Sequence, residues 1–155
     1  MQLPSLPIVE SLPPLRSELA RNRNVVLAAP PGAGKSTVVP LALLDEPWAR
    51  GRRIVMLEPR RLATRAVAAR MAATLGERIG DTVGYRMRLD TRVSGATRIE
   101  VVTEGVFTRM LEHDPALGGV AAVLFDELHE RNLHADLGIA LALDAQRHVA
   151  PELRL

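Results

Sequence analysis

Ala29-Pro30-Pro31-Gly32-Ala33-Gly34-Lys35-Ser36-Thr37 is a stretch whose residue types and spacing can do chemistry on a phosphate chain. It meets the G-x-x-x-x-G-K-[ST] pattern at every fixed place except the first, where Ala29 stands instead of glycine. Gly32 and Gly34 carry no side chains, so the backbone can curl until successive N–H groups point inward at an anion. A helix beginning just after the loop adds unpaired N–H groups and the positive end of its dipole. Lys35 supplies a point charge for the outer phosphates, and the Ser36 hydroxyl is a hard oxygen ligand for Mg²⁺. Composition argues independently for the lysine. The chain has 20 Lys and Arg residues, and Lys35 is the only lysine among them. Lysine persists here where a flexible ammonium and a planar guanidinium are not interchangeable.

A second constellation follows the apolar run Val120-Ala121-Ala122-Val123-Leu124-Phe125, which ends at Asp126-Glu127. A carboxylate at the end of a buried strand, downstream of a phosphate loop, is placed to hold Mg²⁺ through water. The next acid, Glu127, is placed to orient or deprotonate a water for attack on the terminal phosphate. In isolation such a pair would read as two solvated turn residues; with Lys35 and Ser36 in the same chain it reads as the other half of an ATP site. His129 and His134 invite a zinc reading that fails on geometry: five residues apart, they lie roughly 140° apart around a helix. His113 and His148 read as surface histidines.

These residues need elements to position them. Val25-Val26-Leu27-Ala28 predicts a buried strand over about 24–29, followed by the loop and a helix to about Asp45. Ile54–Leu57, Ile99–Val102 and Val120–Phe125 predict further buried strands, and 82–86 a short strand or loop. After Glu58-Pro59-Arg60-Arg61 a helix places Leu62, Ala66, Ala69 and Ala73 on one face. Thr103 is placed to cap a helix that presents Val106, Phe107, Met110 and Leu111 to the core. A last apolar helix covers about 134–147. Residues 1–23, with Leu12, Leu15 and Leu19 on one helical face, predict a packing helix over the sheet edge. Apolar strands alternating with helices indicate an α/β three-layer sandwich with a mostly parallel central sheet. Ligands of such sheets sit at the carboxyl ends of the strands, where the loop, Pro59–Arg61, Thr103–Gly105 and Asp126–His129 all fall.

Bulk properties bound the rest. At 155 residues the chain suits one domain. Aromatics are 3%, so the core must rest on aliphatic residues, and the absence of cysteine excludes disulfide frameworks and thiolate metal sites. No apolar run reaches membrane-spanning length, which leads to the expectation of a cytoplasmic protein. Net charge is +2, so the chain as a whole does not argue for nucleic acid. Only particular arginines can, and Arg52-Arg53 lie at the wrong end of their strand.

Asp126-Glu127-Leu128-His129 resembles the DExH signature of superfamily 2 helicases, the DEAH-box RNA helicase branch in particular. In that branch Ala29–Thr37 resembles motif I, Glu58-Pro59-Arg60-Arg61-Leu62-Ala63 motif Ia, Val83-Gly84-Tyr85-Arg86 the segment after it, and Thr103-Glu104-Gly105 motif Ib. The double-proline loop with Asp-Glu-Leu-His-Glu-Arg is most similar to the bacterial HrpB type. The resemblance implies a RecA-like P-loop NTPase fold over residues 1–155 and an ATP-dependent RNA helicase using ATP and Mg²⁺. It implies that Lys35, Asp126 and Glu127 are catalytic and that Ser36 and Asp126 hold the metal. Pro59, Arg60, Arg61, Thr103, Glu104 and Gly105 would grip single-stranded RNA, with DNA possible, and His129 and Arg131 would couple nucleotide state to that grip. In that family a Ser-Ala-Thr motif and a second RecA-like domain come next. The expectation is therefore a domain that binds MgATP and depends on that second domain for turnover. The alternatives are an isolated nucleotide-binding module with little turnover, and a P-loop ATPase acting on DNA or protein.

Overall fold

The computed structural model describes residues 4–130 and 133–155, with His129 described by its backbone alone. A 3-10 turn (Pro7–Ser11) leads into α1 (Leu12–Arg21), whose Pro13 and Pro14 fall in the first turn, where the missing N–H groups cost nothing. Leu12, Leu15 and Leu19 are buried, and Arg16 donates to the Ala42 carbonyl at 2.6 Å, fixing α1 to the end of α2 (Lys35–Leu43). Next come β1 (Arg53–Leu57), α3 (Arg61–Leu75), the hairpin β2 (Val83–Met87) and β3 (Asp90–Arg92), and β4 (Ile99–Val102). The chain continues through α4 (Glu104–His113), β5 (Val120–Phe125), a 3-10 turn (Leu128–Glu130) and α5 (Leu133–His148).

The strands form one sheet in the order β3-β2-β4-β1-β5, parallel throughout except for the β2–β3 hairpin. Because successive side chains point to opposite faces, β4 serves two cores. Ile99 and Val101 join a cluster with Leu41, Ala68 and Met71, under α1, α2 and α3, whereas Val102 joins Phe107, Leu111 and Ala142, under α4 and α5. Phe107 and Phe125 meet edge to face at 5.9 Å between ring centres. With both faces covered, β1 and β4 are apolar apart from Arg53 at the start of β1 and Glu100, which is 2% exposed and ion-paired to Arg53 and Arg86 at 2.7 Å each. This is the α/β sandwich expected from the apolar runs.

Two expectations need correction. Residues 24–29 form no ladder: the main-chain bonds at the start of the segment are those in which Leu155 donates to Arg23 at 2.8 Å and accepts from Val25 at 3.0 Å. Arg154, the residue before Leu155, bridges to Ala122 of β5. The apolar reading survives in the side chains: Val25, Leu27 and Ala29 pack against the core while Val26 is 87% exposed. The second correction concerns α3. Its core face is Thr64, Ala68, Met71 and Ala72, and Leu62 is 88% exposed. Thr64 can be buried because its hydroxyl donates to the Arg60 carbonyl at 3.0 Å, which hides its polarity inside the helix.

Candidate functional site

The loop between residue 29 and α2 is shaped by two left-handed glycines, Gly32 (φ 75°) and Gly34 (φ 100°), the second being the N-cap of α2. A side chain at Gly34 would be strained by that backbone, and its Cβ would stand 2.8 Å from Leu6 Cδ1 and 3.1 Å from Ile8 Cγ2. The loop is also clamped from below, where Ile8 donates its N–H to the Ala33 carbonyl at 3.1 Å. The Lys35 ammonium crosses the loop, donating to the carbonyls of Ala29 (2.6 Å) and Pro30 (3.2 Å).

Beside the loop lies a cavity of about 400 Å³. Pro31, Gly32, Gly34, Lys35, Ser36 and Thr37 line it from the loop and the start of α2, together with Leu6, Ala66, Val67, Arg70 and Glu127. Sequence reasoning missed Leu6, Val67 and Arg70. The signal available was helical spacing: Ala66 and Val67 stand four and three residues before Arg70, so a helix on the carboxyl side of β1 brings all three to one surface. A slightly larger concavity of about 450 Å³ lies beside α4 on the other face of the sheet, around Glu100, Arg86, Arg109 and His113. Volume does not separate the two, but only the first joins a backbone nest, a lysine, a hydroxyl and acids.

Asp126 and Glu127 sit directly beyond β5. Ser36 donates its hydroxyl to the Asp126 carboxylate, and the Asp126 N–H donates to the Leu57 carbonyl at 3.2 Å, so loop, β1 and β5 converge on this acid. A hydroxyl and a carboxylate meeting oxygen to oxygen are a hard donor set that fits Mg²⁺. The backbone of Glu127 is left-handed (φ 53°), and its N–H donates to Asp126 Oδ1 at 2.9 Å. Of the pair, Glu127 lines the cavity.

A third acid stands next to this pair. Glu58, at the end of β1, is 4% exposed. Burial is the main cause that pushes its carboxyl from 4.5 to about 7; the neighbouring Asp126 and, less strongly, Glu127 also raise it, while the Arg60 N–H and guanidinium oppose the rise. Glu58 was read only as part of a motif, because nothing in its sequence neighbourhood betrays burial at a strand end.

The expected strand-gripping residues occupy the same edge. Arg60 pairs with Glu130, and Arg61 donates to the Arg88 carbonyl in the β2–β3 turn at 3.0 Å. Pro59 is partly buried and Gly105 exposed. Thr103 stands at the N-cap of α4 without capping through its side chain; its carbonyl receives the N–H groups of Val106 and Phe107, each at 3.0 Å. Glu104 opens α4 in the turn where an acid favours the helix dipole. Arg86 is spent on Glu100. The side chain of His129 and all of Arg131 lie outside the described residues. Among the described residues no helix is long and apolar enough to cross a membrane.

Comparison with known proteins agrees with this geometry. The DEAD/DEAH box helicase family profile matches residues 11–139. The chain is 54% identical over 151 residues to the ATP-dependent RNA helicase HrpB of Escherichia coli (strain K12), covering 97% of this chain and 18% of that protein. It is 38% identical over 146 residues to the ATP-dependent RNA helicase DHX33 of Drosophila melanogaster, covering 94% of this chain and 21% of the relative. The crystal structure of the E. coli DEAH/RHA helicase HrpB matches with a TM-score of 0.93 at 54% identity, covering 97% of this chain and 19% of that one. The chain thus spans about a fifth of the length of these relatives.

Proposed function

This chain belongs to the DEAD/DEAH box helicase family, and from that premise we propose that it is the RecA-like ATP-binding domain of a cytoplasmic ATP-dependent RNA helicase. The observation that carries the reading is the hydrogen bond from Ser36 to Asp126, which joins the phosphate loop to the acid beyond β5 across 90 residues.

The nest of Gly32–Thr37 takes the phosphates through backbone N–H groups, and the Lys35 ammonium transfers from its own loop carbonyls to the outer phosphates. Ser36 directly, and Asp126 through water, would hold Mg²⁺, which would supply positive charge against the outer phosphates. Glu127, which lines the cavity beside the loop, accepts the proton of the attacking water. Val67 and Leu6 give the nucleoside end an apolar wall, and Arg70 a planar cation. Along the same edge Arg60, Arg61 and the start of α4 contact the backbone of a single strand. Such contacts set register without reading sequence.

Turnover and translocation belong, in this reading, to a chain of the relatives' length, where a second RecA-like domain faces this site. An arginine finger in P-loop enzymes contributes about 10³–10⁵ in rate, so the chain of 155 residues alone is expected to bind ATP and turn it over slowly. The test is ATP hydrolysis by that longer chain with and without single-stranded RNA. Stimulation that is lost in Glu127→Gln supports the reading, and an RNA-independent rate at every salt concentration contradicts it.

A further inference from the structure

Resting on the single-strand part of that reading, we infer that Glu130 is a positioning residue: it holds the Arg60 guanidinium in competition with a single-stranded RNA phosphate. A bound strand thereby releases the turn that follows the acid pair.

Arg60 and Glu130 are 70 residues apart and meet as an ion pair, with side chains 67% and 32% exposed respectively. The backbone of Arg60 is pinned while its guanidinium is not. Its N–H faces the Glu58 carboxyl, and its carbonyl accepts from the Thr64 N–H (2.9 Å) and hydroxyl (3.0 Å). What remains free to change partner is the planar fork of donors, whose shape suits a carboxylate and a phosphate equally. Arg61 differs, since its guanidinium rests on a backbone carbonyl of the β2–β3 turn. Of the two arginines, only Arg60 is held by a group an RNA phosphate can displace like for like.

The other end of the pair leads into the nucleotide site. Glu130 closes the turn Leu128–Glu130, and its N–H donates to the Glu127 carbonyl at 3.0 Å. Glu127 donates to Asp126, which accepts from Ser36. A continuous hydrogen-bonded path therefore runs from the phosphate loop through both acids to Glu130 and across the ion pair to Arg60. An ion pair this exposed shifts an equilibrium by only about two- to five-fold, weak enough for a phosphate to displace.

The test is anisotropy of a short fluorescein-labelled oligouridine with the chain and its Glu130→Gln, Arg60→Ala and doubly substituted variants, with mant-ATP binding followed in parallel. The expected result is RNA affinity about two- to five-fold tighter in Glu130→Gln, weaker in Arg60→Ala, and no gain from Glu130→Gln once Arg60 is gone. Unchanged or weaker affinity in Glu130→Gln overturns the inference. So does an equal gain in the Arg60→Ala background, or from Glu112→Gln on α4, because either would mean a general charge effect. Loss of mant-ATP binding in Glu130→Gln would make the residue structural and also overturn it. If no variant binds RNA while all bind mant-ATP, the single-strand reading falls with the inference and the nucleotide reading stands.

Discussion

The hydroxyl of Ser36 and the carboxylate of Asp126 share one hydrogen bond, although 90 residues separate them. Neither residue needs the other to satisfy its polarity in water. They meet because the first turn of α2 and the end of β5 are brought to one edge of a parallel sheet. Parallel pairing of β1 with β5 places Leu57 opposite Phe125, so the residue after β5 emerges against the loop.

Gly34→Ala is expected to lower nucleotide affinity about tenfold or more while the fold persists. The substitution forces a methyl into a left-handed position (φ 100°) and against Leu6 at 2.8 Å. Strain of about 1–3 kcal/mol must then be relieved by moving the loop. Mant-ATP titration with circular dichroism as the folding control checks it, and unaltered affinity would refute the loop geometry.

Glu127→Gln keeps the shape of the side chain and removes its basicity. ATP affinity should stay near that of the parent, while RNA-stimulated hydrolysis in a chain of the relatives' length falls by about 10²–10⁴. Equal losses in binding and turnover would assign Glu127 to holding the nucleotide rather than to moving the proton.

Glu58 gives the stability a pH dependence. Its carboxyl titrates near 7 in the folded chain against 4.5 ordinarily, so the folded state binds that proton more tightly than the unfolded one. The sign follows: this contribution is fully present below the ordinary value and is lost as pH rises through about 7. The melting temperature of the parent minus that of Glu58→Gln should therefore fall between about pH 5 and about pH 8 and level off above. A difference that does not vary with pH would remove Glu58 from the buried acid cluster.

Glu100 is a buried acid of β4, 2% exposed and bonded to Arg53 and Arg86. Glu100→Gln leaves two guanidinium groups facing a neutral amide. Because those side chains are 35% and 38% exposed, solvent absorbs part of the penalty, and the expected loss is roughly 2 kcal/mol, or about 4–8 °C in melting temperature. Thermal unfolding at neutral pH measures it; a neutral outcome would mean that the triad is solvated.

Much of this architecture was legible because the chain states it in local terms. Continuous apolar runs such as Ile54–Leu57 have no helical or alternating alternative at that length, and left-handed backbone in a tight loop leaves glycine little competition. What escaped depends on partners remote in sequence. Val25–Ala29 has the composition of a strand, yet its alternate side chains pack on the core without a ladder. The face of α3 was misjudged because Leu62 outweighed a threonine whose hydroxyl bonds within the helix. Glu58 and Glu130 read as parts of motifs, and their burial and pairing arise only when β1 and β5 lie side by side.

The most direct test of the central claim is calorimetric titration of ATP into the chain and into its Asp126→Asn variant, each with and without Mg²⁺. If Ser36 and Asp126 hold one metal against the loop, Mg²⁺ should tighten ATP binding to the parent by about tenfold or more and leave the variant nearly unmoved. An equal Mg²⁺ effect on both proteins, or no ATP binding by the parent, would contradict it.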